Sequence, residues 1–338
     1  MGKADSKIFA RMQRDEKGEK NSSGILLEVR GLSVGIRKKQ GYLQAVNNID
    51  ITVNAGEIIA LAGESGCGKT LTALSLMHLL PPAAEINGGE IMFGGTAGLS
   101  VRRGKDIAMI YQEPRQSLNP LMKAGRQIAE ALELYGTDAK TAEEEALDML
   151  RRLAFTQPEK IFHAWPHQLS GGMCQRVMIA IAAICRPRLL IADEPASSLD
   201  TKSQRSILDL LKQINCEFGT AILFISHDLS LVRDFCSRFM IMYAGRIIEE
   251  GPCEELFSAP LHPYTAALIG AIPRRENRGQ PLAGIPGNAP PIENMPPGCP
   301  FAPRCPKAQK RCAVETPPWT NVGDVKRARC FAVGACHG

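Results

Sequence analysis

The stretch Gly63-Glu64-Ser65-Gly66-Cys67-Gly68-Lys69-Thr70 constrains this chain more than any other. It fits the pattern G-x-x-x-x-G-K-[ST], follows the apolar run Ile58-Ile59-Ala60-Leu61-Ala62 and precedes the helix-prone residues Leu71 to Leu80. A short continuous apolar run predicts a strand buried on both faces. The order strand, loop, helix is the setting in which this pattern cradles phosphates. Glycines let the backbone curl so that its N–H groups face the phosphates, and the next helix presents its positive end. Gly63, Glu64, Ser65, Gly66, Cys67 and Gly68 supply that backbone, Lys69 reaches the terminal phosphates, and the Thr70 hydroxyl is a ligand for Mg²⁺.

Two further segments fit the same chemistry. Leu189-Leu190-Ile191-Ala192-Asp193-Glu194 is a buried strand ending in two carboxylates. Asp193 is placed to hold Mg²⁺, which prefers hard oxygen ligands. Glu194 is placed to orient and deprotonate an attacking water, since phosphoryl transfer needs chiefly positioning and charge neutralisation. In Leu169-Ser170-Gly171-Gly172-Met173, Ser170 is a natural N-cap for a helix, and two glycines leave N–H groups uncovered. Ser170, Gly171 and Gly172 thus predict a second anion site at a helix N-terminus. One nucleotide does not need two such sites from one chain. A head-to-tail pair, in which each chain offers this site to the nucleotide of the other, is the economical answer.

The rest of the chain falls into four textures. Residues 1–24 hold six basic and four acidic residues and end in Asn21-Ser22-Ser23-Gly24, as a flexible N-terminal arm would. This start has no apolar core of a secretory signal, and no stretch reaches the roughly 18 apolar residues of a membrane helix. A cytosolic chain with partner-mediated membrane association is therefore expected. Leu26 to Arg30 and Ala45 to Val53 read as strands. Residues 113–168 carry helical periodicity, as in Arg126 to Leu134 and Ala142 to Leu153, and read as a helical subdomain inserted in an α/β core. Helix 171–186, strand Leu189 to Ala192, helix 202–217 and strand Ala221 to Ser226 then alternate, predicting a mainly parallel sheet. Beyond about Ala259 prolines multiply, and a separate loop-rich appendage is expected.

These motifs together identify the chain as resembling the ATP-binding-cassette (ABC) ATPases. The resemblance implies an α/β P-loop NTPase core with an antiparallel β subdomain, the helical subdomain, and a Cys/Pro-rich C-terminal extension. It also implies a nucleotide-binding domain over 25–258 and an extension over 259–338. Leu169 to Met173 is similar to the family's signature motif. Gln112 sits where the family's Q-loop glutamine contacts metal and water. His227, in Ile225-Ser226-His227-Asp228, looks like the switch histidine that contacts the γ-phosphate. Ser198-Leu199-Asp200 looks like the D-loop, and Tyr42 lies where the family stacks an aromatic ring on adenine. Tyr111 to Pro120, Pro166-His167-Gln168, His262-Pro263-Tyr264-Thr265 and Cys299 to Pro306 are similar to the import ATPases for oligopeptides, dipeptides and nickel. That narrower likeness implies ATP and Mg²⁺ as ligands, a second ATPase subunit (the same chain or a related one) and two membrane permeases. It further implies an extracytoplasmic solute-binding protein and a peripheral place on the cytoplasmic face of the inner membrane. Ala196-Ser197-Ser198 and Cys174 depart from the family wording without touching a catalytic group.

Five of the eleven cysteines crowd the end of the chain. The spacing Cys299-x5-Cys305-x6-Cys312-x17-Cys330 is not the paired C-x2-C of zinc sites. Four thiolates there could hold iron–sulfur or zinc, or nothing. Some members of the resembled family carry a [4Fe-4S] cluster in this region, so a cluster is the expectation and Cys336 a spare. From Met295 onward seven Lys/Arg face two Asp/Glu, but no aromatic-interleaved basic platform accompanies them, so no nucleic acid partner is expected. The alternatives are import of nickel or another small solute, an exporter ATPase, a non-hydrolysing module, and a cassette acting on nucleic acid. Glu194 and His227 argue against the module, and the single cassette without a coiled-coil insertion argues against the last.

Overall fold

The computed structural model describes residues 24–39, 41–97, 101–197, 199–273 and 284–333. The expectations for the N-terminal arm, Ser198 and Cys336 lie outside those residues.

The chain opens with a long hairpin, β1 (Ile25–Lys38) and β2 (Gly41–Asn54), with Val29 opposite Ile51 and Val34 opposite Val46. Alternate residues Leu27, Val29, Ile49, Ile51 and Val53 are buried, as a half-buried antiparallel sheet requires. β3 (Ile58–Ala62) then enters a second sheet and leads through the glycine loop into α1 (Lys69–Leu76). β4 (Ala84–Phe93) returns to pair with β1, and β5 (Thr96–Ala97) completes the first sheet in the order β2-β1-β4-β5. β4 escaped the sequence reading because Asn87-Gly88-Gly89 interrupts its alternation.

β6 (Ile107–Ile110) precedes the helical segment: α2 (Pro114–Ser117), α3 (Ala124–Glu133), α4 (Ala139–Arg152) and α5 (Pro158–His163). There follow α6 (Gly171–Ala183), β7 (Leu189–Asp193), α7 (Thr201–Phe218), β8 (Ala221–Ser226), α8 (Leu229–Phe235), β9 (Arg238–Tyr243) and β10 (Arg246–Pro252). Side chains that prefer caps end these helices where the sequence suggests. Asp138, Ser170, Asp200 and Asp228 each accept a backbone N–H of their own helix, and Gly219 closes α7 at φ 66°.

The second sheet has eight strands in the order β11-β12-β10-β9-β3-β8-β7-β6, where β11 is Thr320–Val322 and β12 is Lys326–Ala328. β9, β3, β8, β7 and β6 run parallel. Both faces are covered. Ile59, Leu61, Leu189 and Ile191 pack toward the antiparallel sheet, while Ala60, Ala62, Leu190 and Ala192 pack toward the helices. This two-sided burial is why these strands read as continuous apolar runs.

The tail is not the separate appendage expected. β12 pairs with β10 (Glu249 opposite Ala328), so the chain's end closes the edge of the core sheet. A β10 left bare would present a row of unpaired N–H and C=O groups. Two short helices, α9 (Cys253–Ser258) and α10 (Pro263–Gly270), lie before that return. Buried Glu249 fastens the turn between them by accepting the N–H groups of Leu261 (2.6 Å) and His262 (2.9 Å).

Candidate nucleotide site

Parallel register delivers the site. Pairing of Ala62 with Ser226, Asp193 with Ile225 and Ile110 with Ala192 aligns the carboxyl ends of β3, β8, β7 and β6. The residues just beyond those ends are the phosphate loop, His227, Glu194 and Gln112, gathered where open α/β sheets bind ligands. Together with loop residues 64–70, Gln112 and Glu194 line a cavity of about 620 Å³.

The loop's glycines are required by contact and by conformation. A Cβ on Gly63 (φ 156°) would lie 2.1 Å from the Met242 carbonyl oxygen. One on Gly68 (φ 110°) would lie 2.9 Å from that of Ala45. Buried Lys69 donates through Nζ to the carbonyls of Gly63 and Glu64, both at 2.9 Å. Its ammonium thus waits inside the loop that phosphates would fill. Cys67 is buried against the loop, and burial pushes its thiol up, away from redox chemistry at neutral pH.

Glu194 is held from two sides. Gln112 donates through Nε2 to its Oε2 (3.2 Å), and His227 Nδ1 lies 3.0 Å from its Oε1. Its backbone sits at φ 49°, a left-handed conformation uncommon for a non-glycine residue and frequent at functional sites. Asp193 is 2% exposed, and its Oδ1 has no hydrogen-bond partner among the described residues. Burial pushes the Asp193 carboxyl above its usual range; the Thr70 hydroxyl opposes this, Glu194 adds to it and Lys69 opposes it. An orphaned carboxylate oxygen beside a threonine hydroxyl fits a hard divalent cation such as Mg²⁺.

The signature residues are elsewhere. Ser170 caps α6 by accepting the Met173 N–H at 3.3 Å. Nothing lies within 4 Å of a Cβ built on Gly171 or Gly172, so a ligand can approach that backbone. Ser170 and Gly172 line a second cavity of about 440 Å³ that shares no residue with the first. Leu199 and Ser203 also line that cavity, while Asp200 between them caps α7, accepting the N–H groups of Lys202 and Ser203 at 3.1 Å each.

Tyr42 departs from expectation. It pairs with Arg37 across the hairpin, while its neighbour Leu43 pairs with Ile36, which lines the cavity. The pleat therefore sends Tyr42 to the opposite face, where its ring lies beside Gly35 and near the Arg37–Glu85 ion pair. It does not line the nucleotide cavity.

Sequence reading missed what the tail contributes. Arg304, 7% exposed at its side chain, makes a two-pronged ion pair with Glu64 of the phosphate loop (3.0 and 3.1 Å). It also donates to the Tyr243 hydroxyl at 3.2 Å. The Tyr264 hydroxyl accepts the Glu64 N–H at 3.0 Å, and Tyr243, Tyr264 and Phe301 pack ring against ring. The only signal was that His262 to Thr265 and Arg304 fall inside family-like wording; nothing in their spacing points at the loop.

Cys299, Cys305, Cys312 and Cys330 are neighbours. Burial and then the thiols of Cys312, Cys330 and Cys305 push Cys299 up to about 11, while the Phe301 N–H opposes. Among the described residues, however, no three His, Cys, Asp or Glu side chains converge to hold a metal ion. Nothing in this arrangement adds support to the iron–sulfur expectation.

The sequence profile described as ABC transporter matches residues 46–197, and the one described as oligopeptide/dipeptide transporter, C-terminal region, matches 248–312. The oligopeptide transport ATP-binding protein OppD of Haemophilus influenzae is 44% identical over 296 residues, 86% of this chain and 92% of its own length. The oligopeptide transport ATP-binding protein AppD of Bacillus subtilis is 41% identical over 320 residues, 90% of this chain and 96% of its own. Among solved structures, the dimeric ATP-binding cassette MJ0796, bound to ADP and Pi in a post-hydrolysis state, superposes with TM-score 0.60 at 25% identity. That superposition covers 68% of this chain and 99% of the other. Phosphate loop, paired carboxylates, signature helix and these likenesses agree: the chain belongs to the ATP-binding proteins of ABC transporters, with the oligopeptide transport ATP-binding proteins among its relatives.

Proposed function

We propose that this chain is the ATPase subunit of a peptide importer and acts as one half of a head-to-tail pair. The observation that carries the reading is the separation of the two anion sites. Phosphate loop and Glu194 share one cavity, Ser170 and Gly172 line another, and no residue is common to both. Each nucleotide then lies between the loop of one subunit and the signature helix of its mate, whether that mate is a second copy or a related chain.

Thr70, Gln112 and Asp193 would hold Mg²⁺, which when bound neutralises phosphate charge. Lys69 exchanges its loop carbonyls for β- and γ-phosphate oxygens. Glu194 orients a water and takes its proton as the water oxygen bonds to the γ-phosphorus. The bond to the β–γ bridging oxygen breaks, and ADP and inorganic phosphate leave. His227 and Gln112, both within hydrogen-bond reach of Glu194, keep that carboxylate aimed. The mate's Ser170 hydroxyl and the N–H groups of its Gly171 and Gly172 meet the phosphates from the other side, and Asp200 sits at the seam. ATP favours the closed pair and ADP releases it, which is the differential binding that drives the cycle.

In the domain reading that accompanies this, 1–24 is an arm, 25–258 the cassette with its helical subdomain at 113–168, and 259–338 the extension. Among the described residues no helix is long and apolar enough to cross a membrane. Two permease subunits, docked near Gln112 to Pro120 on the cytoplasmic face of the inner membrane, would supply the channel, and an extracytoplasmic binding protein the cargo. Peptide as cargo is supported by the names of the relatives and by the match over 248–312. The cysteine set has the weakest geometric support. Iron and zinc assays on anaerobically purified protein decide it, and absence of both metals removes the cluster.

The deciding experiment is reconstitution with cognate permeases in liposomes. Peptide-loaded binding protein is expected to stimulate ATP hydrolysis and peptide uptake together. Stimulation by a nickel chelate alone would replace the cargo, and an assembly without Mg²⁺-dependent hydrolysis would refute the whole reading.

A further inference from the structure

We infer that the C-terminal extension forms part of the nucleotide site itself: Pro290, Pro291, Ile292 and Met295 wall the end of the cavity that receives the base, opposite Ile36 and Ala45 of the hairpin. All six residues line the same cavity as Lys69 and Thr70. This inference deepens the reading that the cavity binds ATP, and it rests on that reading.

The cavity has two chemically different ends. Around Lys69, Thr70, Gln112 and Glu194 it offers charge and N–H donors, suited to phosphates and a cation. Around Ile36, Ala45, Ile292 and Met295 it offers apolar side chains, each only partly buried and so with surface to spare. A triphosphate on the loop leaves its base to fill the apolar end, where burial of a flat ring is favourable. The aromatic expected there from sequence, Tyr42, is on the other face of the hairpin.

The wall is braced. The short turn Ile292–Asn294 packs on β2, and Lys38 Nζ lies 3.7 Å from the Glu293 carboxylate. Arg304 donates from Nε to the Pro286 carbonyl at 2.9 Å, just upstream of the wall. The same guanidinium grips Glu64 of the phosphate loop. One buried arginine thus ties the base wall and the phosphate cradle to each other, so the extension positions both ends of the nucleotide.

The test compares ATP with inorganic tripolyphosphate, each with Mg²⁺, by calorimetry on the full-length chain. The double variant Ile292→Ser, Met295→Ser should weaken ATP about tenfold through lost apolar burial, and leave tripolyphosphate and the melting temperature unchanged. Tyr42→Ala should leave both affinities unchanged. As a readout that needs no variant, 8-azido-ATP should photolabel the peptide containing Ala289 to Met295. An unchanged ATP affinity in the double variant, or label on the Tyr42 ring with none on Ala289 to Met295, overturns the inference while leaving ATP binding intact. A wild type that binds neither ATP nor tripolyphosphate overturns the reading beneath it as well.

Discussion

Glu194 is the residue on which the proposed chemistry depends, and its surroundings say what its removal should do. It lies one position beyond buried Asp193, at a left-handed backbone conformation, with Gln112 and His227 on its two oxygens. Glu194→Gln keeps the shape and the hydrogen-bonding capacity but cannot accept a proton. ATP binding should be unchanged and steady-state hydrolysis should fall about a hundredfold or more, the scale of a lost general base. Calorimetry and phosphate release measured on the same preparation check this, and unaltered turnover removes the base assignment. At this scale the sequence was informative. Lys69, Thr70, Asp193, Glu194, Gln112 and His227 converge as the motif spacings implied, because each follows a strand of one parallel sheet and the strand ends are in register. Tyr42 failed because a one-residue change of register along a strand reverses the face a side chain takes, and nothing local to Tyr42 reports that register.

At the scale of elements, α10 and its approach show how a buried ring shapes stability. His262 is 2% exposed, accepts the Tyr264 N–H through Nδ1 at 3.0 Å, and burial lowers its pKa to about 3. The fold therefore favours the neutral ring while the unfolded chain protonates near 6.5. Stability from this group is whole above that pH and is lost as pH falls from 6.5 toward 3, at about 1.4 kcal/mol per pH unit. Between pH 7.5 and 5.0 the wild type should lose about 2 kcal/mol through His262. His262→Asn, which can still cap the helix, should flatten that part of the curve. Urea unfolding of both proteins at the two pH values checks it; equal pH dependence would mean that the ring is protonated in the fold. The parallel strands β3, β7 and β8 and helices α1, α3, α4, α6 and α7 were legible from periodicity and apolar runs within a few residues. β4, β6, β9, β10, β11 and β12 were not: Asn87-Gly88-Gly89 breaks the alternation of β4, β6 has only four residues, and β11 and β12 have three each.

At the scale of the whole molecule, two separate cavities on one chain fit the proposed head-to-tail pair. Gly171→Arg would fill the approach that is open above the signature helix. ATP binding by the isolated chain should be normal, since Gly171 lines no part of the phosphate-loop cavity. Hydrolysis by the assembled pair should fall about a hundredfold, as when transition-state donors are blocked. Loss of binding in the isolated chain would instead place the signature in the same site as Lys69.

Which residues gather at the proposed phosphate end was legible in the sequence alone, because glycines, lysine, threonine and strand-end carboxylates sit in local geometry that short motifs specify. What only tertiary structure decided is the reach of the tail. Its strands close the edge beside β10, Arg304 grips Glu64 across 240 positions of sequence, and residues 290–295 reach the cavity. Such contacts arise when a chain folds back to cover an open sheet edge and a buried arginine meets a carboxylate. No spacing in the sequence encodes where that return will land.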